Sequence, residues 1–404
     1  MSGGGNVTPA KRLIMMGKTQ PIATFTRSSI AYLSDGTQVA ANKPRFEPGK
    51  FGKAIMVEEE TTNLIGSVGS FETDSNGAGI ADGWNAVLYG SIPSLVNDSL
   101  FGIKAQRITS TTSDTNAARR IEKNVSITGG KTYTFSAYAK TDGATPAYLR
   151  IDTNGNTPVS LASLKTTATT WTKLQVTFTA PADATSVYVR CYNDAPIGAV
   201  GWVQFDGAQL EAKPYATSFI DGTRAAETLT IPPAGVLNPQ EGTVACWVYV
   251  NDVSKYKNRY STIFMAVAGG AGKGIWLHHS NNSANWEYQI KDENNFSTRV
   301  IVADNEIANG WHLFTAKWKS TEAKLFVDGA LKGTMENPYL PSAIQKIDIG
   351  CWGAGNQLSS LIDDLRISSR ARSDEEILEA YQSGQPAVAD GRTTYKADFD
   401  EKIC

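Results

Sequence analysis

The sequence predicts an all-β protein built of two antiparallel β-sandwiches, with one short helix near the C-terminus. Charged residues make up only 19% of the chain, and its 36 glycines are typical of strands joined by many turns. Short segments of alternating apolar and polar residues recur along the chain, whereas helix signals are concentrated at residues 373–384. A chain of 404 residues is long enough to bury two or three cores.

The last third of the chain carries a hairpin signal and a capped helix. Asp328-Gly329 separates two apolar-rich runs, and both positions tolerate positive φ, which predicts a β-hairpin. Ser373 and Glu376 form a capping box, and Gly384 is expected to end the helix. The order of segments over residues 241–381 resembles the laminin-G-like, concanavalin-A-like domains. This resemblance implies a jelly-roll sandwich here.

Residues 67–213 contain a second set of alternating segments. Apolar residues fall on one face in each segment, which predicts half-exposed antiparallel strands. The inward-facing residues are expected to be Tyr133, Phe135, Ala137, Leu174, Val176, Phe178, Val187, Val189 and Cys191. The order and the two ends of this region resemble the galactose-binding-like jelly roll of carbohydrate-binding modules.

The most specific strings flank this second region. The exit string "QLEAKPYATSFI" begins at Gln209, and the lead-in string occupies residues 21–66. Both resemble strings found in bacteriophage tail and minor structural proteins, which implies a virion component. The lead-in match is carried by Phe25, Arg27, Asn42, Pro44, Arg45, Phe46, Glu58, Glu59, Thr62, Asn63 and Leu64.

These resemblances predict an inserted domain. The opening strand of the concanavalin-A-like sandwich, "GKFGKAI" from Gly49, finds its continuation only after residue 217. The extended C-terminal segment from Thr393 is expected to pair with residues 44–60. The expected organisation is an attachment arm (1–20), a lead-in supplying the first sandwich strands (21–66), the inserted galactose-binding-like jelly roll (67–213), the concanavalin-A-like sandwich with its helix (214–384) and an extended tail (385–404).

Composition argues against several partners. The formal net charge is −2, so no basic field is expected to attract nucleic acid or an anionic membrane. No apolar run is long enough to cross a membrane, and the N-terminus lacks the features of a secretion signal. Synthesis and assembly in a host cytoplasm are therefore expected. The cysteines are far apart in sequence, which argues against a disulfide framework.

The acids and histidines do not form a catalytic pattern. Glycosidases with a concanavalin-A-like sandwich carry acids at alternate positions of one strand, and no such run is present. Asp363 and Asp364 are adjacent, so they are expected on opposite faces of a strand. The spacing of His278, His279 and His312 does not suit metal ligation. No enzymatic activity and no required cofactor are expected.

Polar faces of the predicted jelly roll offer a glycan site. Aromatic rings together with arginine and aspartate on one sheet can stack a sugar ring and hydrogen-bond its hydroxyls. An alternative is that these tyrosines cover a solvent-facing sheet or contact a partner subunit. The candidate residues are Tyr138, Tyr148, Arg150, Asp152, Tyr188, Arg190 and Tyr192.

A structural calcium ion is a further expectation from the resemblance. Carbohydrate-binding modules of this kind often hold one between an opening glutamate and an aspartate of the closing strand, and Glu72 and Asp206 match those positions. Carboxylates brought together from distant strands repel unless a hard cation bridges them.

The sequence thus predicts a non-catalytic bacteriophage virion protein of a tail, fibre or capsid decoration. Its partners are expected to be other virion proteins, through the N-terminal arm, and a host cell-surface glycan. A homo-oligomer fits the symmetry of virions, although no heptad or collagen repeat specifies one. The alternatives are a bacterial surface or secreted carbohydrate-binding protein and a polysaccharide depolymerase.

Overall fold

The structure is a computed structural model that describes residues 21–154, 159–251, 253–256, 259–270, 272–281 and 284–399. Within these ranges the chain forms two compact units. The first unit comprises residues 21–26, 42–59 and 226–399, and the second comprises residues 27–41 and 60–225. The predicted attachment arm and residues 400–404 lie outside the described residues.

Strands account for nearly all of the regular structure. The first ten are β1 (Thr24–Thr26), β2 (Ala31–Tyr32), β3 (Gln38–Val39), β4 (Arg45–Pro48), β5 (Lys53–Val57), β6 (Thr61–Thr62), β7 (Asn85–Val87), β8 (Ile92–Val96), β9 (Ala105–Ser110) and β10 (Arg120–Ser126). The next ten are β11 (Thr132–Thr141), β12 (Ala147–Thr153), β13 (Ser160–Thr166), β14 (Thr172–Thr179), β15 (Ser186–Asn193), β16 (Gly201–Glu211), β17 (Thr223–Arg224), β18 (Thr228–Ile231), β19 (Gly242–Val250) and β20 (Ser261–Val267). The last are β21 (Gly274–His279), β22 (Asn285–Lys291), β23 (Ser297–Ala303), β24 (Gly310–Lys319), β25 (Glu322–Val327), β26 (Ala330–Glu336), β27 (Lys346–Ile349), β28 (Ser360–Ser368) and β29 (Thr393–Ala397). The described helices are α1 (Asp374–Gln382) and two short 3₁₀ turns, Val253–Tyr256 and Asp304–Glu306.

Two antiparallel sheets form the first unit. The seven-stranded sheet has the order β1-β18-β27-β20-β21-β22-β23. The eight-stranded sheet has the order β26-β25-β24-β19-β28-β5-β4, with β29 also paired to β28. Apolar side chains from both sheets, such as Val248, Trp286 and Phe314, share one buried core. This arrangement is a β-sandwich, in which each sheet buries one face.

The second unit is also a sandwich, built from two five-stranded sheets. One has the order β13-β12-β15-β10-β7, and the other has the order β14-β11-β16-β9-β8. All nine residues predicted to point inward are buried. The prediction of an all-β fold with two antiparallel sandwiches is therefore confirmed, because alternation along a strand reports which face is buried.

The predicted hairpin and helix cap are confirmed as well. Val327 pairs with Ala330 across the turn, and both turn residues have positive φ (54° for Asp328 and 75° for Gly329). Ser373 Oγ accepts from the Glu376 backbone N–H, and the Glu376 carboxylate accepts from the Ser373 backbone N–H. These contacts lie within a few residues in sequence, so local sequence determines them.

The C-terminal strand differs from its prediction. β29 pairs with residues 365–368 of β28, whereas β5 pairs with residues 360–362 of the same strand. The prediction that the C-terminal segment pairs with residues 44–60 is therefore wrong. β28 is nine residues long, so the short strand β5 leaves room along it for a second short strand.

The lead-in string is also divided differently from the prediction. Residues 27–41 and 60–66 lie in the second unit, whereas residues 42–59 lie in the first. In the second unit, the buried Arg27 side chain donates to the backbone oxygens of Ser29 and Ala40, which connects the two open ends of the β2–β3 hairpin. The 21–66 segment therefore contributes strands to both units.

A buried ion cluster of the first unit is formed by residues of this string. The Arg45 guanidinium donates to Glu58 at 2.7 Å and to both carboxylate oxygens of Glu227 at 2.8 and 2.7 Å. All three side chains are almost completely buried. Arg45 and Glu58 therefore serve packing and charge pairing inside the unit.

Asn63 and Glu211 have a similar role in the second unit. The Asn63 amide donates to the backbone oxygens of Ala208 and Ile220 and accepts from the N–H groups of Ile65 and Leu210. The Glu211 carboxylate accepts from the Thr61 and Thr217 side chains and from the Thr217 backbone N–H. These buried groups satisfy backbone atoms that would otherwise lack partners.

Three described cysteines, Cys191, Cys246 and Cys351, are buried free thiols. Burial raises the pKa of each, so they remain protonated and unreactive. Among the described residues, no helix has the length and apolar character needed to cross a membrane.

A protonated histidine is predicted to stabilise the first unit in a pH-dependent way. His312 Nδ1 lies 2.7 Å from an Asp328 carboxylate oxygen, and Nε2 lies 2.8 Å from the Ala308 backbone oxygen. Two oxygen partners require both ring nitrogens to carry protons, and the hydrogen bond to Asp328 raises the pKa of His312. The contribution is complete below the ordinary histidine pKa of about 6.5 and is lost as the pH rises through the higher folded-state value.

His312→Gln is therefore expected to lower the free energy of unfolding by about 1 kcal/mol at low pH and by less in alkaline solution. Urea unfolding of both proteins on the two sides of neutrality provides the measurement. An equal loss of stability at both pH values would show that His312 is not charged in the folded state.

Candidate functional site

Polar side chains cover the outer face of one sheet in the second unit. The alternate residues of β12 and β15, such as Leu149, Ile151 and Val189, point into the core, so their neighbours must point outward. Pairing places Tyr148 beside Tyr192, and Arg150 beside Arg190. We call this surface the tyrosine–arginine face, formed by Arg120, Glu122, Tyr148, Arg150, Asp152, Lys165, Tyr188, Arg190 and Tyr192.

Two carboxylates hold the arginines of the face in place. Arg150 Nε donates to Asp152 Oδ1 at 2.6 Å, and Arg190 donates to the other oxygen of Asp152. Arg190 Nε and Arg120 Nε both donate to Glu122 Oε2, at 2.8 and 2.7 Å. The arginines are thereby fixed in an ion network that spans β12, β15 and β10.

Tyrosine rings of the face form cation–π contacts with neighbouring basic side chains. The Lys165 ammonium lies 4.7 Å from the centroid of the Tyr148 ring, and the Arg190 guanidinium lies 4.8 Å from that of Tyr188. Tyr148 and Tyr192 also contact each other, with 5.3 Å between centroids. Each contact of a cation with a ring face is favourable and orders both groups.

Six of the seven predicted glycan-binding residues lie on this face, and Tyr138 does not. Tyr138 belongs to β11 in the other sheet of the unit, where it pairs with Lys173 and Asp206. Its ring packs edge-on against Phe101. The prediction that all seven share one sheet is wrong for Tyr138, because strand alternation does not tell which of the two sheets a strand joins.

Sequence reasoning missed three members of the face. Arg120 and Glu122 lie on β10 and pair with Tyr192 and Arg190, and Lys165 on β13 pairs with Tyr148. In the string "RIEKNVS" of β10, Ile121 and Val125 are buried, but Lys123 interrupts the alternation that β12 shows, so the signal in the sequence was weaker. The pairing of β10 with β15 joins residues about 70 positions apart and cannot be read from alternation alone.

The two predicted calcium ligands hold one loop of the second unit. Asp206 accepts from the backbone N–H groups of Leu100 and Phe101, and Glu72 accepts from that of Ile103. Burial, together with the nearby charge of Glu72, raises the pKa of Asp206 to about 8, although the backbone N–H groups that bond to this carboxylate act in the opposite direction. The described residues contain no group of three or more His, Cys, Asp or Glu side chains suited to a metal ion. A cation here would need carbonyl oxygens as additional ligands.

The acids and histidines of the first unit are held by structural contacts. Asp363 accepts from the Phe51 backbone N–H, and Asp364 accepts from that of Ala387. His278 is buried and stacks on Trp276 with 3.7 Å between centroids, and burial lowers its pKa to about 3. His279 lies 2.9 Å from Asp304. None of these contacts resembles a pair of carboxylates flanking a cleft.

Comparison with known families assigns a domain type to most of the chain. Residues 221–378 match the family described as the concanavalin A-like lectin/glucanases superfamily, and residues 65–196 match the family described as a carbohydrate binding domain. The chain contains a concanavalin A-like domain and a carbohydrate-binding domain. We refer below to the first unit as the concanavalin A-like unit and to the second as the carbohydrate-binding unit. The predicted resemblance to these two domain types is confirmed, whereas the bacteriophage assignment stays a prediction.

Solved structures show only partial similarity. The structure described as "CBM4 structure and function" is 20% identical, covering 36% of this chain and 97% of its own, with a TM-score of 0.29. The botulinum neurotoxin serotype G binding domain is 17% identical over 39% of this chain and 40% of its own, with a TM-score of 0.32. The Clostridium thermocellum endo-1,4-beta-D-xylanase 10B modules, complexed with xylohexaose, are 16% identical over 39% and 29%, with a TM-score of 0.27. Similarity at this level says nothing about what the present chain binds. No curated protein matches the chain.

Proposed function

We propose that this protein is a non-catalytic adhesion protein that binds a glycan on the tyrosine–arginine face of its carbohydrate-binding unit. The observation that carries the proposal is the concentration of arginines and tyrosines in a fixed network on one sheet of a domain matched to a carbohydrate-binding family. Such a face combines ring surfaces with directional hydrogen-bond donors, the two features that recognise sugars.

Removing two rings of the face is expected to abolish glycan retention. The variant Tyr148→Ala with Tyr188→Ala removes both rings and the support that they give to the cations of Lys165 and Arg190, while leaving the core residues of β12 and β15 in place. Retention is measured by affinity electrophoresis in gels that contain host-surface polysaccharide, with a thermal melt to verify folding. Tyr339→Ala is the control, since that exposed ring belongs to the concanavalin A-like unit. Unchanged retention by the double variant would reject this face.

We further propose that the protein acts on a bacteriophage particle, in a tail, fibre or capsid decoration, and assembles in the host cytoplasm. The lead-in and exit strings support this context by resemblance. The N-terminal arm would contact other virion proteins, and the protein would form a homo-oligomer. Immunogold electron microscopy of lysate particles, with an antibody against residues 67–213, tests the proposal. Label at a defined place on virions is expected.

A bacterial surface or secreted carbohydrate-binding protein is the second candidate function. Arg27, Arg45 and Asn63 of the lead-in string are buried, so their role in folding alone accounts for their presence. These residues therefore do not require a virion context, which favours the second candidate. Gold label found only on cell surfaces or free in the medium would support this candidate and contradict the virion proposal.

We also propose a structural calcium ion between Glu72 and Asp206, supported by two carboxylates that bond to the backbone of the same loop, residues 100–103. Calcium chloride is expected to raise the melting temperature of the carbohydrate-binding unit by several degrees relative to EGTA, because the ion binds only the folded state. Asp206→Asn should remove this shift, whereas Asp183→Asn on an exposed turn should keep it. A melting temperature that does not respond to calcium would contradict the site.

A further inference from the structure

We propose that the glycan bound by the tyrosine–arginine face is acidic, carrying carboxylate, sulfate or phosphate groups along its chain. This inference rests on the proposed function of the same face. Three features of the face support it. They are the exposure of its charged side chains, the hydrogen bonds that these side chains already make, and the cations that lie against its tyrosine rings.

Arg150 and Lys165 are more exposed than the central carboxylates of the face, whereas Arg120 and Arg190 lie at a depth similar to that of Glu122. The Asp152 side chain is completely buried and that of Glu122 is 13% exposed, whereas that of Arg150 is 30% exposed. Lys165 is 52% exposed and forms an ion pair with Asp194, so Arg150 is the cation that a ligand would meet. The central network contains Arg120, Arg150 and Arg190 but only the carboxylates of Asp152 and Glu122, which leaves one positive charge uncompensated. A ligand approaching the centre of the face therefore meets positive charge first.

The carboxylate oxygens of the network largely accept from its own arginines, whereas Arg150 keeps N–H donors for a ligand. Both oxygens of Asp152 already accept from arginines, and Oε2 of Glu122 accepts twice. Arg150 uses Nε for its bond to Asp152, and within the described part of the chain its terminal nitrogens have no hydrogen-bond partner. A guanidinium with free terminal N–H groups matches the paired oxygens of a carboxylate, sulfate or phosphate.

The rings are less available to a neutral sugar than the sequence suggests. Lys165, Arg120 and Arg190 each lie against one ring, at 4.7 Å from Tyr148, 5.5 Å from Tyr192 and 4.8 Å from Tyr188. A neutral sugar stacks through its C–H groups and needs an open ring face. An anionic group instead approaches the cation directly, without displacing it from the ring.

The test compares polysaccharides that differ in charge but share a backbone. The full-length protein is titrated with polygalacturonate and with its methyl-esterified form, and with dextran sulfate and dextran. Binding to the better acidic polymer is expected to be at least about tenfold tighter than to its neutral counterpart and to weaken as sodium chloride screens the charges. Arg150→Gln should lose about tenfold in affinity for that acidic polymer, whereas Lys131→Gln, which removes an exposed cation from a turn outside the face, should not.

The outcomes separate the inference from the proposed function. Equal or tighter binding of the neutral polymers overturns the acidic class and leaves glycan binding intact. If the protein binds none of these polymers and no host-surface polysaccharide, both the acidic class and the proposed glycan binding are overturned. An equal loss of affinity in Arg150→Gln and Lys131→Gln overturns the location on this face. If Arg150→Gln does not fold, Lys165→Gln is the substitute, because that side chain is half exposed.

Discussion

Replacing Arg45 by alanine is expected to lower the free energy of unfolding of the concanavalin A-like unit by about 3–5 kcal/mol. The variant leaves the carboxylates of Glu58 and Glu227 buried without their shared cation. Burial alone would lower the pKa of Arg45, yet Glu227 and Glu58 outweigh it and raise that pKa, so the guanidinium is firmly charged. Urea unfolding followed by tryptophan fluorescence provides the measurement, since many tryptophans of the chain lie in this unit.

Two further variants identify the cause of the loss. Arg299→Ala removes a half-exposed arginine whose contact with Glu287 is 3.5 Å long, and it should cost less than about 1 kcal/mol. Combining Arg45→Met with Glu58→Gln and Glu227→Gln removes every buried charge of the cluster and should recover part of the stability. If the free energy of unfolding of Arg45→Ala lies within about 1 kcal/mol of that of the unchanged protein, the cluster does not stabilise the unit as described.

Replacing Asn63 by alanine is expected to destabilise the carbohydrate-binding unit by about 4 kcal/mol. The amide side chain makes four hydrogen bonds to the backbone of Ile65, Ala208, Leu210 and Ile220, and its removal leaves these buried groups unsatisfied. The measurement is the melting transition of this unit, followed by near-ultraviolet circular dichroism with the full chain.

Thr62→Ala is the matched control for Asn63→Ala. Thr62 is the preceding residue, its side chain is exposed, and its hydroxyl makes one bond to Thr223. Its removal should cost less than about 0.5 kcal/mol. Similar melting temperatures for the two variants would show that the Asn63 amide is not a structural hub.

Both predictions concern residues that suggested a function in the sequence. Arg45, Glu58 and Asn63 belong to the string that resembles bacteriophage proteins, yet each is buried and bonded inside its own unit. These three side chains therefore cannot act as an attachment surface.

Local features of the fold could be predicted from the sequence. Alternation in β11, β14 and β15 gave the buried faces correctly, because the burial of a strand residue depends mainly on its own face. The Ser373–Glu376 cap is equally local. The partner of β29 was not predictable in this way, since β28 offers the same edge to two short strands and the choice depends on the length of β5.

The candidate site was predicted in part for the same reason. Alternation placed Tyr148, Arg150 and Asp152 on one outer face of β12, and likewise the polar residues of β15. Alternation could not assign Tyr138 to the opposite sheet. It also could not show that Arg150 and Asp152 form a hydrogen bond with each other. Sheet membership and ion pairing depend on contacts between strands that are distant in sequence.

Hydroxyl-radical footprinting of the full-length protein, with and without the polysaccharide that it retains, tests the location of binding most directly. At matched radical dose, Tyr148 and Tyr188 are expected to be protected by the polysaccharide, because their side chains lie on the tyrosine–arginine face. Phe296 and Tyr339, an exposed stacked pair of the concanavalin A-like unit, should react equally in both samples. Protection of Phe296 and Tyr339 with unchanged reactivity of Tyr148 and Tyr188 would contradict the proposed function of this face.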